Sequence, residues 1–371
     1  MDNIEKIRIN QFVTLVFLYT IGSSILIAPN VVVMYGKNDA WITVLLNLCM
    51  GLLLVAFYNK LAQSFEQNYY FEYVQTVLGP WLGKFISFLY LLFFILFSSL
   101  LLGEVGDFIS SVVIKDTPIE AIIGLFALII IFGAKYGIET LARTGELILP
   151  IIILLFVFLF IFLIPQAKPE KLLPILENGI KPILRSSYTS LGLPYFELFI
   201  LFILFPHVKS QEKRGKALLL GVFMGGVIIF FITLFALMVL GNEGTARLHF
   251  PTYTMTKTIS IAKIIERLEA FLSSIWFLTI FMKVSLIFHG ISLYIKHLFQ
   301  LKSNKVVLYP LGMILLFSSL YMSPNVIHLR EFVARTWILY AGTFAVLIPM
   351  LLMAVEIIKK RKKRGMQHVQ K

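Results

Sequence analysis

The sequence predicts an all-α integral membrane protein with ten transmembrane helices, the first and sixth of them broken. Three observations lead there. Of 371 residues, 58% are hydrophobic and only 14% charged, whereas soluble domains carry about 25% charged residues. Lipid is the solvent such a chain suits. Ten apolar runs approach the roughly 20 residues that a spanning helix needs. Polar and helix-breaking residues then interrupt the first and sixth runs. Helices rather than a barrel follow because backbone groups in lipid must be paired internally. A barrel strand alternates in polarity, and "LILPIIILLFVFLFIFLIP" (147–165) does not.

The runs fall, in order, at 11–33, 39–60, 81–103, 119–135, 144–164, 183–206, 214–240, 268–295, 305–322 and 335–358. Lys6 and Arg8 precede the first, as in a signal peptide. The run from Phe12 to Val33 exceeds a signal core of about 7–15 residues, and "SSILIAPN" offers no small-residue cleavage site. The segment is therefore expected to be retained. The fourth and ninth runs are the shortest.

Two connections are long, 61–80 and 241–267, and each follows the second span of a five-span half. An odd number of spans per half turns the second half upside down. A single membrane domain over 1–371 is thus expected, with inverted repeats at about 11–164 and 183–358 and a basic tail at 359–371. With the N-terminus inside, 20 Lys and Arg residues fall on the inner side and 12 on the outer, leaving Lys283 within a span. That bias puts both termini in the cytoplasm. "KKRKKR" (359–364), directly after the last span, serves as a topology anchor and suits anionic lipid. Its place beside a span argues against nucleic acid as the partner of the +13 net charge.

The first run carries Gly22, Ser23 and Ser24 where a lipid-facing helix would carry Leu or Ile, and Pro29 follows. The sixth contains "SSYTSLGLPYFELF" (186–199). Pro194 removes a backbone donor and clashes with the preceding turn, and Gly192 lowers helix stability by about 1 kcal/mol relative to Ala. Interrupted helices at matching places in both halves point to a binding gap; close helix packing by small residues is the alternative. A broken helix offers amides at one new end and carbonyls at the other. Two facing gaps suit a zwitterion such as an amino acid.

Isolated charges sharpen this picture. Glu197 lies 12 residues from Arg185 and 10 from His207, roughly 15–18 Å along a helix. Its carboxylate cannot stretch to water. Such a residue marks a site, ion path or proton relay; its roles are pairing a ligand amine or cation, or gating by protonation, with bracing of the broken helix as the alternative. Lys283 lies 13 residues before Lys296, roughly 20 Å away, too far to snorkel. A Glu197–Lys283 pair is open, either as a functional element or as a tether between spans. Thr279, four residues before Lys283, shares its face. His289 is off that face and takes no role. Glu104 and Asp107, near the outer end of span three, read as ordinary interface residues, with decoration of a mouth as the alternative.

No enzyme motif is present: no P-loop, nucleophile elbow or His-Glu-x-x-His helix. The six histidines are scattered, and Cys49 is the single cysteine. No catalytic residue, metal or cofactor is expected.

"IGSSILIAPN" with "GKNDAWITVLL" at the first span, "LGPWLGKF" before the third and "LGLPYFELFILFILFPHV" at the sixth resemble the spore germination permease-like family, the B subunits of GerA-type nutrient germinant receptors. The likeness covers nearly the whole chain. It implies the five-plus-five fold of the amino acid/polyamine/organocation transporter superfamily. It also implies residence in the spore inner membrane, a complex with A and C subunits that leaves room for homo-oligomers, and nutrient sensing with ion release as output. By position it places the ligand at Gly22, Ser23 and Ser24, at Leu191, Gly192, Leu193 and Pro194, and beside Phe94 or Ser98 of span three. In sodium-coupled members span eight helps hold the ion against span one, and the Lys283 ammonium fits that place, which suggests sodium-independent action. Related transporters often carry Gly-x-Gly in the first break where this chain has Gly-Ser-Ser. The ligand is a small nutrient, an amino acid or a nucleoside. The rival functions are a proton-coupled amino-acid transporter and a ligand-gated ion channel subunit.

Overall fold

Each of the ten apolar runs is helical in the computed structural model, which describes residues 5–65, 68–258, 268–322, 332 and 336–369. The helices are α1 (Ile9–Ile21), α2 (Ser24–Gly36), α3 (Ala40–Ala62), α4 (Tyr70–Leu78), α5 (Pro80–Phe108), α6 (Ile119–Lys135), α7 (Gly137–Leu163), α8 (Lys181–Ser190), α9 (Gln211–Arg247), α10 (Pro251–Lys257), α11 (Leu268–Leu298), α12 (Leu308–Met322), α13 (Trp337–Gly342) and α14 (Ile348–Val369). A 3₁₀ segment, Phe196–His207, continues the sixth run, and a π segment, Thr343–Leu347, joins α13 to α14. Among the described residues, seven helical stretches are long and apolar enough to cross a membrane. The interrupted runs leave shorter apolar pieces, Ile9–Ile21 and Phe196–His207. Lys263, Arg267, Arg330, Arg335 and Lys371, counted in the charge bias, lie outside the described residues, as does the end of the 241–267 connection.

Both long connections contain helix. In the first, the Tyr69 N–H donates to Glu72 Oε2 at 3.1 Å and starts α4. Tyr70, Phe71, Tyr73, Val74 and Val77 of α4 are buried. In the second, α9 runs to Arg247 across a kink at Gly241, whose φ of 77° is open to glycine, and α10 follows.

The core and the periphery divide by burial. Every residue of α1 from Gln11 to Ile21 except Val13 is buried, as is the 3₁₀ segment beyond Phe196. Outer helices expose apolar side chains instead. On α7, Leu147, Leu154 and Ile161 lie seven residues apart on one stripe and are 74%, 55% and 53% exposed. Hydrocarbon is the neighbour that such a surface requires, and the protein is an integral membrane protein.

Side chains from neighbouring helices complete the backbone where the helices are irregular, as lipid demands. Pro29 lies inside α2 and leaves the Ile25 carbonyl without its helical donor; Thr252 Oγ1 of α10 donates to it at 2.7 Å. Tyr58 OH and Tyr90 OH donate to the π-segment carbonyls of Ala345 and Phe344 at 2.9 and 2.8 Å. The chain before α1 is tied to the end of the sixth run: the Ile7 N–H donates to His207 O at 2.8 Å, and the Lys209 N–H to Ile7 O at 3.1 Å.

Candidate functional site

The first break is two residues long. The Gly22 N–H still donates to Leu18 O, at 3.1 Å, which closes α1, and α2 begins at Ser24. The second break is the turn Leu191–Tyr195, after which the chain continues as 3₁₀ helix. Lys283 of α11 joins them. Its Nζ donates to Ser23 Oγ at 2.8 Å and to Glu197 Oε2 at 2.5 Å. Both charged side chains are fully buried. Tyr19 OH donates to the Glu197 carbonyl at 3.0 Å, so one helix turn carrying Glu197 is held by α1 and α11 together. The rings of Tyr19 and Phe97 lie 5.1 and 5.5 Å from Lys283 Nζ, within cation–π range.

Gly22 admits this arrangement. A Cβ there would stand 2.5 Å from Lys283 Cδ. Gly192 admits another close approach, since a Cβ would stand 2.9 Å from Trp337 Cδ1.

A cavity of about 50 Å³ opens beside the ion pair, lined by Ser23, Ile27, Asn30, Val31 and Met34 of the first run, Phe97, Leu100, Leu101 and Glu104 of α5, Leu193 and Glu197 of the sixth, and His249 and Trp337. That volume admits several waters or one compact group. Its wall is ordered by specific bonds. Asn30 Nδ2 donates to the carbonyls of Thr245, Ala246 and Leu248 at 3.2, 2.9 and 2.7 Å, which fixes the end of α9 just before His249. His249 Nε2 lies 3.4 Å from Asp107 Oδ2, though neither atom completes a hydrogen bond among the described residues. Trp337 and Glu197 share the lining, and neither the indole N–H nor Glu197 Oε1 completes a hydrogen bond among the described residues.

The residues singled out from sequence divide around this cavity. Ser23, Leu193 and Glu197 line it; Lys283 and Gly22 pack directly behind. Ser24 Oγ and Ser98 Oγ are buried without a partner among the described residues and outside the lining. Phe94 stacks on Phe199 at 5.3 Å and meets Tyr294 edge-on, so Phe97 is the α5 ring at the cavity. Leu191 faces a separate apolar cleft with Met50 and Tyr188. Pro194 is buried in the turn, its carbonyl accepting from the Glu197 N–H at 3.1 Å. Thr279 Oγ1 donates to Trp276 O within its own helix. Glu104, only 5% exposed, is buried in the cavity wall rather than at an interface. Sequence reasoning passed over Asn30, Phe97, His249 and Trp337.

The family profile described as "Spore germination protein" matches residues 6–327. This chain belongs to that family. It is 29% identical to Spore germination protein KB of Bacillus subtilis (strain 168) over 362 residues, covering 96% of each chain. It is 26% identical to Spore germination protein YndE of the same organism, covering 97% of this chain and 98% of that one. Among solved structures, it resembles MHP1, a nucleobase-cation-symport-1 family transporter in a closed conformation with bromovinylhydantoin bound. The TM-score is 0.67 at 14% identity, covering 89% of this chain and 75% of that one. It also resembles MhsT in complex with L-phenylalanine, with TM-score 0.65 at 15% identity, covering 91% and 88%. The fold is therefore a transporter fold, and the family is one of permease-like membrane proteins, not enzymes.

Proposed function

We propose that this family member is the permease-like subunit of a nutrient germinant receptor in the spore inner membrane. A small nutrient, best an amino acid, binds between the two breaks in a state that widens this cavity, and its binding thereby shifts a conformational equilibrium that A and C subunits convert into ion release. A ligand shifts such an equilibrium only through its different affinity for the two states. The observation that carries this reading is the Lys283 ammonium bonded to both broken helices at the cavity floor. Whatever enters beside Glu197 and Ser23 meets a joint that ties the two breaks.

Ten spans as inverted repeats 11–164 and 183–358, cytoplasmic termini, and the 359–371 tail on anionic lipid complete the arrangement. The internal lysine in place of a mobile cation favours sodium-independent action. Its second reading is a working amino-acid transporter, favoured by the likeness in fold to MhsT with L-phenylalanine.

Deleting the gene in its host separates these. Nutrient-triggered germination of spores is expected to be lost while amino-acid uptake by growing cells is unchanged. Normal germination with lost uptake would establish the transporter instead.

A further inference from the structure

Of the three carboxylates around the cavity, Glu197, Asp107 and Glu104, only Glu104 has no basic side-chain nitrogen within 4 Å among the described residues. Glu197 is paired by Lys283 at 2.5 Å. Asp107 Oδ2 lies 3.4 Å from His249 Nε2, an ion pair whenever the imidazole carries a proton. Glu104 lines the same cavity, is 5% exposed, and its Oε1 has no hydrogen-bond partner among the described residues. A carboxylate withdrawn from water requires a proton or a cation.

We propose that Glu104 accepts the ammonium group of the ligand, which makes the cavity selective for amine-bearing nutrients, amino acids above all, over sugars and nucleosides. This rests on the reading that the cavity binds the nutrient. It also moves the amine contact away from Glu197, whose Oε2 Lys283 already occupies. The walls favour an organic ammonium over an inorganic cation. Inorganic cations take a shell of several oxygen ligands, whereas Ile27, Leu100 and Leu101 are apolar and Phe97 and Trp337 present rings suited to an alkylammonium. In the same lining, the Trp337 N–H and the Ser23 hydroxyl supply donors for the carboxylate of the same ligand.

The test uses the full chain purified in detergent, with tryptophan fluorescence as readout because Trp337 lines the cavity. L-alanine, L-leucine, L-lysine and ethanolamine are the amine probes; D-glucose, inosine and potassium chloride are the comparisons. At least one amine probe is expected to bind saturably at pH 7, tenfold or more weakly in Glu104→Gln, with thermal unfolding showing the variant folded. Should Glu104→Gln fail to fold, Glu104→Asp, which keeps the charge but shortens the reach, is expected to weaken amine binding at least threefold. Unchanged amine affinity in a folded Glu104 variant, or no amine binding by the natural chain, overturns the assignment. So does Glu104-dependent potassium binding without amine binding, which would make the occupant an inorganic cation. Gly22→Leu separates the two levels. Probe binding lost in Gly22→Leu but unchanged in Glu104→Gln refutes the Glu104 assignment alone, whereas binding intact in Gly22→Leu refutes the cavity as the nutrient site.

Discussion

The two breaks open their helices by different means. At the first, two residues suffice, and the gap is closed from behind by the Lys283 side chain against Gly22. At the second, a five-residue turn leads into twelve residues of 3₁₀ helix, a geometry seldom sustained beyond 3–4 residues and associated with hinges. Twelve residues span about 24 Å as 3₁₀ helix and about 18 Å as α-helix. The first break is thus a fixed joint and the second a stretched one, and Glu197 is where they meet. A ligand bound there, as proposed, would have a fixed wall on one side and a helix with length to give on the other.

Lys283→Met strikes both breaks at once and is expected to have the largest effect. It strands Glu197 in the core, a loss of about 3–5 kcal/mol, read as a lower unfolding midpoint in detergent. Adding Glu197→Leu removes the stranded charge and is expected to restore most of that loss. Additive losses in the double variant would mean that the two residues are not a coupled unit. Tyr19→Phe removes a single bond between the breaks, the donation to the Glu197 carbonyl. A loss of about 1 kcal/mol is expected; a loss as large as that of Lys283→Met would make α1, not Lys283, the principal tie.

The same contrast explains what could be read from the sequence. Spans were legible because lipid tolerates few polar residues, so a lone Glu197 or Lys283 stands out, and Gly-Ser-Ser and Gly-Leu-Pro mark the breaks directly. Their pairing could be raised from the sequence but not decided there, because 86 residues separate them in the chain; the fold makes the pair. Nor was the 3₁₀ segment legible: apart from Glu197, "FELFILFILF" is apolar throughout, and it has no period from which to read pitch. Glu104 was read as an interface residue because a charge near a span end ordinarily reaches water. His249 reaches the cavity at the end of a stretch, Thr245 to Leu248, that Asn30 holds down, and that contact is tertiary. Phe94 and Phe97 lie three residues apart on α5, and packing by Phe199 and Trp337 decides which one faces the cavity.

The most direct measurement is the nutrient response of spores whose only copy of the gene carries Gly22→Leu, with the protein quantified in the spore membrane. A side chain at position 22 would push into Lys283 and spread the joint between the breaks. Normal protein abundance with the nutrient response abolished is the expected result. A normal response at normal abundance would contradict the placement of nutrient binding at the two breaks.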